Sequence, residues 1–392
     1  MSERLAFIQA CLNRREHIAA ICARFQISEK TGHKWLARFR EAGEAGLVDR
    51  SHASRAHANR VEPGLAAQIL ALRRRHPLYG PAKLRDWLMH HVPLERWPAA
   101  STIGDLLKRE GLVRSRRRAR TAAHARLVGG RTRASAPNVV WTADFKGQFR
   151  LGMGAYCFPL TVLDLHSHFL LRCTALASTA IAPARASFRR LFLEYGLPEV
   201  LRTDNGVPFA QPNAIGRLGA LAFWWVRLGI RPEHIRPATP SENGAHERFH
   251  KTLKAHTAQP PARSFAAQQR HFDRFQAEYN TERPHAATVE HRPPGHSYVA
   301  SSRPYPPKLP PLWYGATERV RRVDSSGVIK WCNHPIFLSS NLAGDDVGLT
   351  ELDSGDVSIR YGALILGAFD PTTARFTPHV RWDGEPEALD HT

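Results

Sequence analysis

Near the front of the chain, apolar residues recur at helical spacing. Ile18, Ile21, Cys22 and Phe25 share one side, Gln26 to Ser28 interrupts, and Trp35, Leu36 and Phe39 resume the pattern. Ser28 is suited to cap the second helix, because a side-chain oxygen can accept from an orphan N–H of the first turn. Residues 15 to 42 are therefore predicted to form a helix-turn-helix whose second helix exposes Lys30, Thr31, His33 and Lys34. A basic solvated hairpin would carry the same pattern. A second helical unit is expected from Pro63, with Ile69, Leu70 and Leu72 on its first helix. The HPLYGPAKL turn leads to a second helix, and a third is capped at Ser101 and carries Leu106, Leu107 and Leu112. The two units occupy 1–52 and 60–113 as tandem three-helix modules.

The periodicity then changes to that of strands. VVWTADFKGQFRL and CFPLTVLDLHS, separated by GMGA, and then FLLRCTAL predict three antiparallel strands. A helix over Ile181 to Tyr195 leads to a short buried strand, VLRTD. Another helix up to Leu228, a short strand near His234 to Arg236 and a helix containing Glu247 complete the region. Such an order implies a mixed α/β sheet with helices on its faces over 136–260. Residues 261–311 read as a helix and a Pro-rich connector, 312–372 as short alternating strands of a small β-barrel, and 373–392 as a tail. The expected fold class is multidomain: all-α modules, an α/β core and a β-barrel.

Charge narrows the partner. Lys and Arg number 55 against 35 Asp and Glu, a net charge of +20, which points to a polyanion or an anionic membrane. No apolar run approaches the ~18 residues of a spanning helix, and Met1 to Ala20 lacks a signal-peptide core, so nucleic acid is favoured over a membrane. Between Arg114 and Arg133 there are eight arginines, Arg116, Arg117 and Arg118 among them, and no acidic residue. This stretch has no sustained apolar face, and 114–135 reads as a basic linker that contacts DNA or is simply a solvated tether. The five cysteines are scattered without a CxxC pair, which suits reduced thiols in the cytoplasm. The chain has no GxxxxGK[ST] segment, so ATP binding is not expected.

Three carboxylates stand out by position. Asp144 interrupts a strand between apolar neighbours, where a charge needs a metal, a donor or water. Asp204 ends an apolar strand just before Asn205–Gly206, although an Asp that merely starts a turn would look the same. Asp164 closes its strand before LHSH and reads as a turn residue, outside the candidate set. Glu242 fits a capping box with Thr239 and Pro240, whereas Glu247 lies roughly 140° further around the helix at about 100° per residue. Glu247 shares its face with Lys251 and Lys254, and Ala245, Phe249 and Leu253 form the packing face. Carboxylates drawn from separate elements are the oxygen donors a two-metal phosphoryl-transfer site requires.

These segments together, NVVWTADFKGQFRLGMGAYCFPLTVLDLHSHFLL, EVLRTDNGVPFA and PATPSENGAHERFHKTLK, resemble the DDE transposases of bacterial insertion sequences, whose core is related to retroviral integrase. The resemblance extends to ISEKTGHKWLARFREAGEAGLVDRS, HPLYGPAKL and YNTERPH, covering most of the chain. It implies an RNase H-like core in which Asp144, Asp204 and Glu247 bind two Mg²⁺ ions, with Mn²⁺ able to substitute. It further implies that Lys251 and Lys254 contact transposon-end DNA, that the partners are double-stranded end and target DNA, and that the chain acts as a dimer or higher oligomer at the bacterial nucleoid. The 42 residues between Asp204 and Glu247 exceed the best-known family spacing, consistent with an insertion around AFWWVRLGI. The competing readings are a DNA-binding regulator that keeps only the helix-turn-helix, and a nuclease that cuts without joining.

Overall fold

The computed structural model describes residues 3–13, 15–49, 61–92, 96–113, 132–145, 147–235 and 244–383. Arg116, Arg117, Arg118 and the Glu242 capping box lie outside them. Two compact units result, one up to Glu62 and one from Pro63.

The first unit holds α1 (Glu3–Leu12), α2 (Ile18–Arg24) and α3 (Glu29–Ala42). Ser28 caps α3 by accepting from the Thr31 N–H, as its sequence position predicts. Helix α1 supplies the third helix of the expected module, at a position the apolar spacing does not mark, and its Phe7 and Ile8 are fully buried with Ile21 and Cys22. Gly32 permits the close crossing, since a Cβ there would stand 2.5 Å from Cys22 Sγ and 2.8 Å from a Phe7 ring carbon.

The second unit begins with α4 (Pro63–Arg75), α5 (Pro81–His91) and α6 (Ala100–Arg109). Ser101 does not cap α6. The helix starts earlier, from Ala99, whose carbonyl accepts from the Ile103 N–H and turns Ile103 into the core.

The central sheet comprises β1 (Val140–Phe145), β2 (Phe149–Arg150), β3 (Tyr156–Asp164), β4 (Leu170–Leu176), β5 (Val200–Thr203) and β6 (Arg231–His234). Strand β3 pairs antiparallel with both β4 and β1, and β1, β5 and β6 run parallel. The expected first strand is two strands, β1 and β2, and the last strand lies at Arg231–His234, before the expected position. The expected linker also ends early: Thr132 donates to Glu233, and Arg202 bridges the Thr132 carbonyl and Glu233, so 132–135 belongs to the sheet's margin.

Strand alternation decides what each face carries. Trp141 and Ala143 of β1 pack toward α7 (Ile181–Tyr195) and α8 (Ala220–Arg227). The opposite face lies under α9 (Gly244–Thr257) and α10 (Phe265–Thr281), where Phe249, Leu253, Phe272, Phe275 and Tyr279 meet Cys157, Leu163 and Cys173.

The C-terminal part is antiparallel: β7 (Arg319–Arg322), β8 (Val328–Trp331), β9 (His334–Phe337), β10 (Asp346–Glu351), β11 (Val357–Tyr361), β12 (Leu364–Asp370) and β13 (Arg375–Trp382). Its five-stranded sheet has the order β13-β12-β11-β10-β7, with β8 and β9 as a separate hairpin. This is the expected small β-domain, with a ladder that stays open between β7 and β13 among the described residues. Residues 375–382 are not tail. They pair with β12, and Pro378 is accommodated at a register shift. Helix α8 is buried from Leu221 through Val226 because it is covered twice, by α7 (Phe188 against Trp225) and by the C-terminal sheet (Phe223 against Tyr361).

Candidate active site

The register of two parallel strands brings the first two carboxylates together. Ala143 of β1 is level with Thr203 of β5, so Asp144 and Asp204 are the next residues along neighbouring strands, which lie about 4.8 Å apart. Both are half-buried. Burial holds the Asp204 carboxyl above its ordinary pKa, opposed by the Gly206 N–H and by His234. That N–H donates to Asp204 Oδ1 at 3.2 Å, and a Cβ on Gly206 would stand 3.0 Å from Asp204 Oδ2. The turn after β5 is thus shaped around the carboxylate. His234, on the adjoining strand β6, lies 3.2 Å from the Thr203 hydroxyl and 3.3 Å from the Asp204 carbonyl, and burial lowers its pKa.

Helix α9 is anchored over this edge by two histidines one turn apart. His246 Nδ1 hydrogen-bonds the Thr142 hydroxyl at 3.1 Å, and His250 Nε2 the Thr161 hydroxyl at 2.8 Å. Because the single Thr161 hydroxyl proton goes to the Asp144 carbonyl, His250 donates from Nε2, and its Nδ1 lies 3.8 Å from Asp144 Oδ2. Thr142 and Asp144 share the face of β1 that α9 covers. Glu247 is in α9 between these anchors, and its side chain lies outside the described part of the structure. Among the described residues no three His, Cys, Asp or Glu side chains form a group able to hold a metal ion.

Asp164 has the structural job its sequence position suggested. It is fully buried and accepts from the Asn138 N–H and from the N–H and hydroxyl of Ser167. Lys251 and Lys254 are exposed on α9. In the first unit Lys30, His33 and Lys34 are exposed on α3, whereas Thr31 is half-buried with its hydroxyl 2.9 Å from that of Ser28. Sequence reasoning missed His234, His246 and His250. The i, i+4 histidine pair in GAHERFHKTLK was the available signal for the last two.

Residues 228–294 match a family model described as integrase core domain, 31–107 a homeodomain-like domain and 3–55 a helix-turn-helix domain. The Pol polyprotein of Feline endogenous virus ECE1 is 28% identical over 127 residues, 32% of this chain and 11% of that one. The Gag-Pol polyprotein of Baboon endogenous virus (strain M7) is 28% identical over 128 residues, 32% of this chain and 7% of that one. The chain thus spans a small part of these relatives' length. Among solved structures, the HTLV-2 integrase catalytic core domain in complex with magnesium (trimeric form) has 13% identity and a TM-score of 0.34, covering 43% of this chain and 100% of that chain. The simian T-cell lymphotropic virus intasome in complex with PP2A regulatory subunit B56 gamma has 15% identity and a TM-score of 0.34, covering 78% of this chain and 99% of that chain. Along the chain, helix-turn-helix and homeodomain-like matches thus precede a match to an integrase core domain.

Proposed function

We propose that this protein is the transposase of an insertion sequence, binding the element's terminal inverted repeats and catalysing DNA cleavage and strand transfer. The observation that carries the reading is the level placement of Asp144 and Asp204 at neighbouring strand ends, under the helix that holds Glu247. Burial pushes Asp204 toward its neutral form, a cost that a bound cation would offset. Carboxylate oxygens suit hard divalent cations. Asp144, Asp204 and Glu247 would hold two Mg²⁺ ions, or Mn²⁺ in their place. Such ions, when bound, supply Lewis acidity at the scissile phosphate and lower the pKa of water.

The chain's own residues do the positioning. His250 ties α9 to the Thr161 hydroxyl beside Asp144, and His246 fixes α9 against β1. Lys251 and Lys254 would take phosphates of the end DNA, Lys30, Thr31, His33 and Lys34 would face a major groove, and Arg116, Arg117 and Arg118 would contact the DNA backbone. Water displaces the 3′-oxygen at the element's end, and the freed 3′-hydroxyl then displaces a phosphodiester oxygen of the target. No bond to the protein forms. Joining two ends requires at least a dimer on DNA, and we place the reaction at the bacterial nucleoid. No described helix is long and apolar enough to cross a membrane.

A strand-transfer assay with end DNA and Mg²⁺ tests this. Asp204→Asn is expected to lower joining at least about 100-fold, on the scale of losing a preorganised charge-stabilising group, while end binding persists. Cleavage without joining would identify a nuclease, and end binding without either reaction in the unaltered protein would identify a regulator.

A further inference from the structure

HPLYGPAKL and YNTERPH have no part in the carboxylate site, yet the fold locks them together. His76 and Tyr79 each lie 3.2 Å from Glu278 Oε1, just before YNTERPH. The Arg283 guanidinium sits over the Tyr79 ring, 5.1 Å from its centroid, and Lys83 donates to the Pro284 carbonyl. Arg283 also lies 3.2 Å from His256 of α9. Helix α5 is thereby clamped to the end of α10.

Beside this clamp is a cavity of about 400 Å³ whose lining includes Lys83, Arg248, Arg283, His168, His285 and Asp164. That volume suits a ligand of nucleotide size. Its charge is unbalanced. Asp164 is the one carboxylate among the described lining residues, and both its oxygens already accept from Asn138 and Ser167. Asp86, which attracts the Lys83 ammonium, is engaged by His291 at 3.2 Å. The Arg248 side chain is exposed and meets no carboxylate among the described residues. The consequences appear in the bases. Burial, reinforced by Arg283, pushes Lys83 down to about 8, and burial with His168, Lys83, Arg283 and Arg248 pushes His285 down to about 3. The His168 and His285 rings stack at 4.5 Å, which neutral imidazoles tolerate.

We infer that this cavity is a phosphate-binding site, taking a phosphate group of nucleic acid or a free phosphate anion among Lys83, Arg248 and Arg283. All three cations line the one cavity, and although Lys83 already donates to the Pro284 carbonyl and Arg283 meets His256, each side chain has further N–H donors that an anion could engage. Arg supplies planar paired donors and Lys a compact charge, the combination that suits phosphate oxygens. The assignment does not depend on the carboxylate chemistry, and Asp204→Asn should leave it intact.

The test is calorimetric titration of the full chain with inorganic phosphate, against chloride at matched ionic strength. Saturable phosphate binding is expected, weakened at least tenfold in Lys83→Met and in Arg248→Ala. Arg248 is exposed on α9, so its removal decides the matter even if Lys83→Met fails to fold. Duplex DNA supplies the second arm. If the ligand is a DNA phosphate, inorganic phosphate competes with duplex, and the slope of log affinity against log salt falls by about one in Arg248→Ala. If DNA binding is unchanged while phosphate binding is lost, the site belongs to the free anion. Absence of saturable phosphate binding with an unchanged salt slope, or equal phosphate affinity in the unaltered protein and both variants, overturns the inference.

Discussion

His250 shows how one side chain can serve both packing and chemistry. It donates to the Thr161 hydroxyl, whose proton goes in turn to the Asp144 carbonyl, and its Nδ1 stands 3.8 Å from the Asp144 carboxylate, so it fixes the surroundings of a candidate metal ligand. Loss of such an outer partner costs roughly 10–100-fold in metal affinity or activity. His250→Ala is accordingly expected to reduce joining by that amount and to raise the Mg²⁺ concentration needed for half-maximal activity. End binding, measured by gel shift, should be unchanged. Two other histidines set the response to acid. Burial lowers His256 to about 4 and His285 to about 3, from an ordinary 6.5. The folded state keeps both neutral where the unfolded chain binds protons, so stability falls as pH drops from 6.5 towards 4. Denaturant melts should show a lower midpoint at pH 5 than at pH 7, and an unchanged midpoint would mean these rings are not buried in solution.

At the scale of elements, the helix-turn-helix depends on a missing side chain. Gly32 sits in α3 where Cys22 and Phe7 approach, and a methyl group there would overlap both. Alanine is the better helix former by about 1 kcal/mol, whereas overpacking costs roughly 1–3 kcal/mol. Because the overlap is with two buried groups, the second effect should win. Gly32→Ala is expected to destabilise the first unit and weaken end-DNA binding. A thermal melt that rises instead would place α1 elsewhere. Helix α9 poses the complementary case, an amphipathic helix with two polar anchors on the sheet side. Its Phe249 and Leu253 bury against α10 and the sheet, while His246 and His250 set its position along β1.

In the molecule from Pro63 onward, α8 joins what the sequence divides into core and C-terminal domain. Trp224 and Trp225 face α7, Phe223 packs on Tyr361, and Arg227 pairs with Asp345 at 3.1 Å. The C-terminal sheet is therefore part of the core's packing. Each large side chain uncovered by its removal forfeits roughly 1.5–3 kcal/mol. A chain ending at residue 311 is expected to aggregate or to melt well below the full chain, and a monodisperse truncation of equal melting temperature would contradict this role. The interval between Asp204 and Glu247 contains this helix, which the C-terminal sheet covers.

Periodicity along the chain was enough to determine where most elements lie, because the apolar spacing of α2, α3, α7 and β5 reflects faces buried locally and repeatedly. It also placed Asp204 at a strand end, since a polar residue closing an apolar run is visible without a fold, whereas Asp144, read as interrupting a longer strand, stands near the end of β1 only because that strand breaks in two. Helix α1, the β1–β2 break, the start of α6 and the strand status of 375–382 escaped it, because each depends on partners distant in the chain. Only the tertiary structure decided that Asp144 and Asp204 are level, as this is a matter of ladder register between strands some 60 residues apart. The same holds for the meeting of Lys83 with Arg283 and for the double burial of α8. Contacts of this kind arise from which surfaces meet in the packed chain, and local spacing carries no record of them.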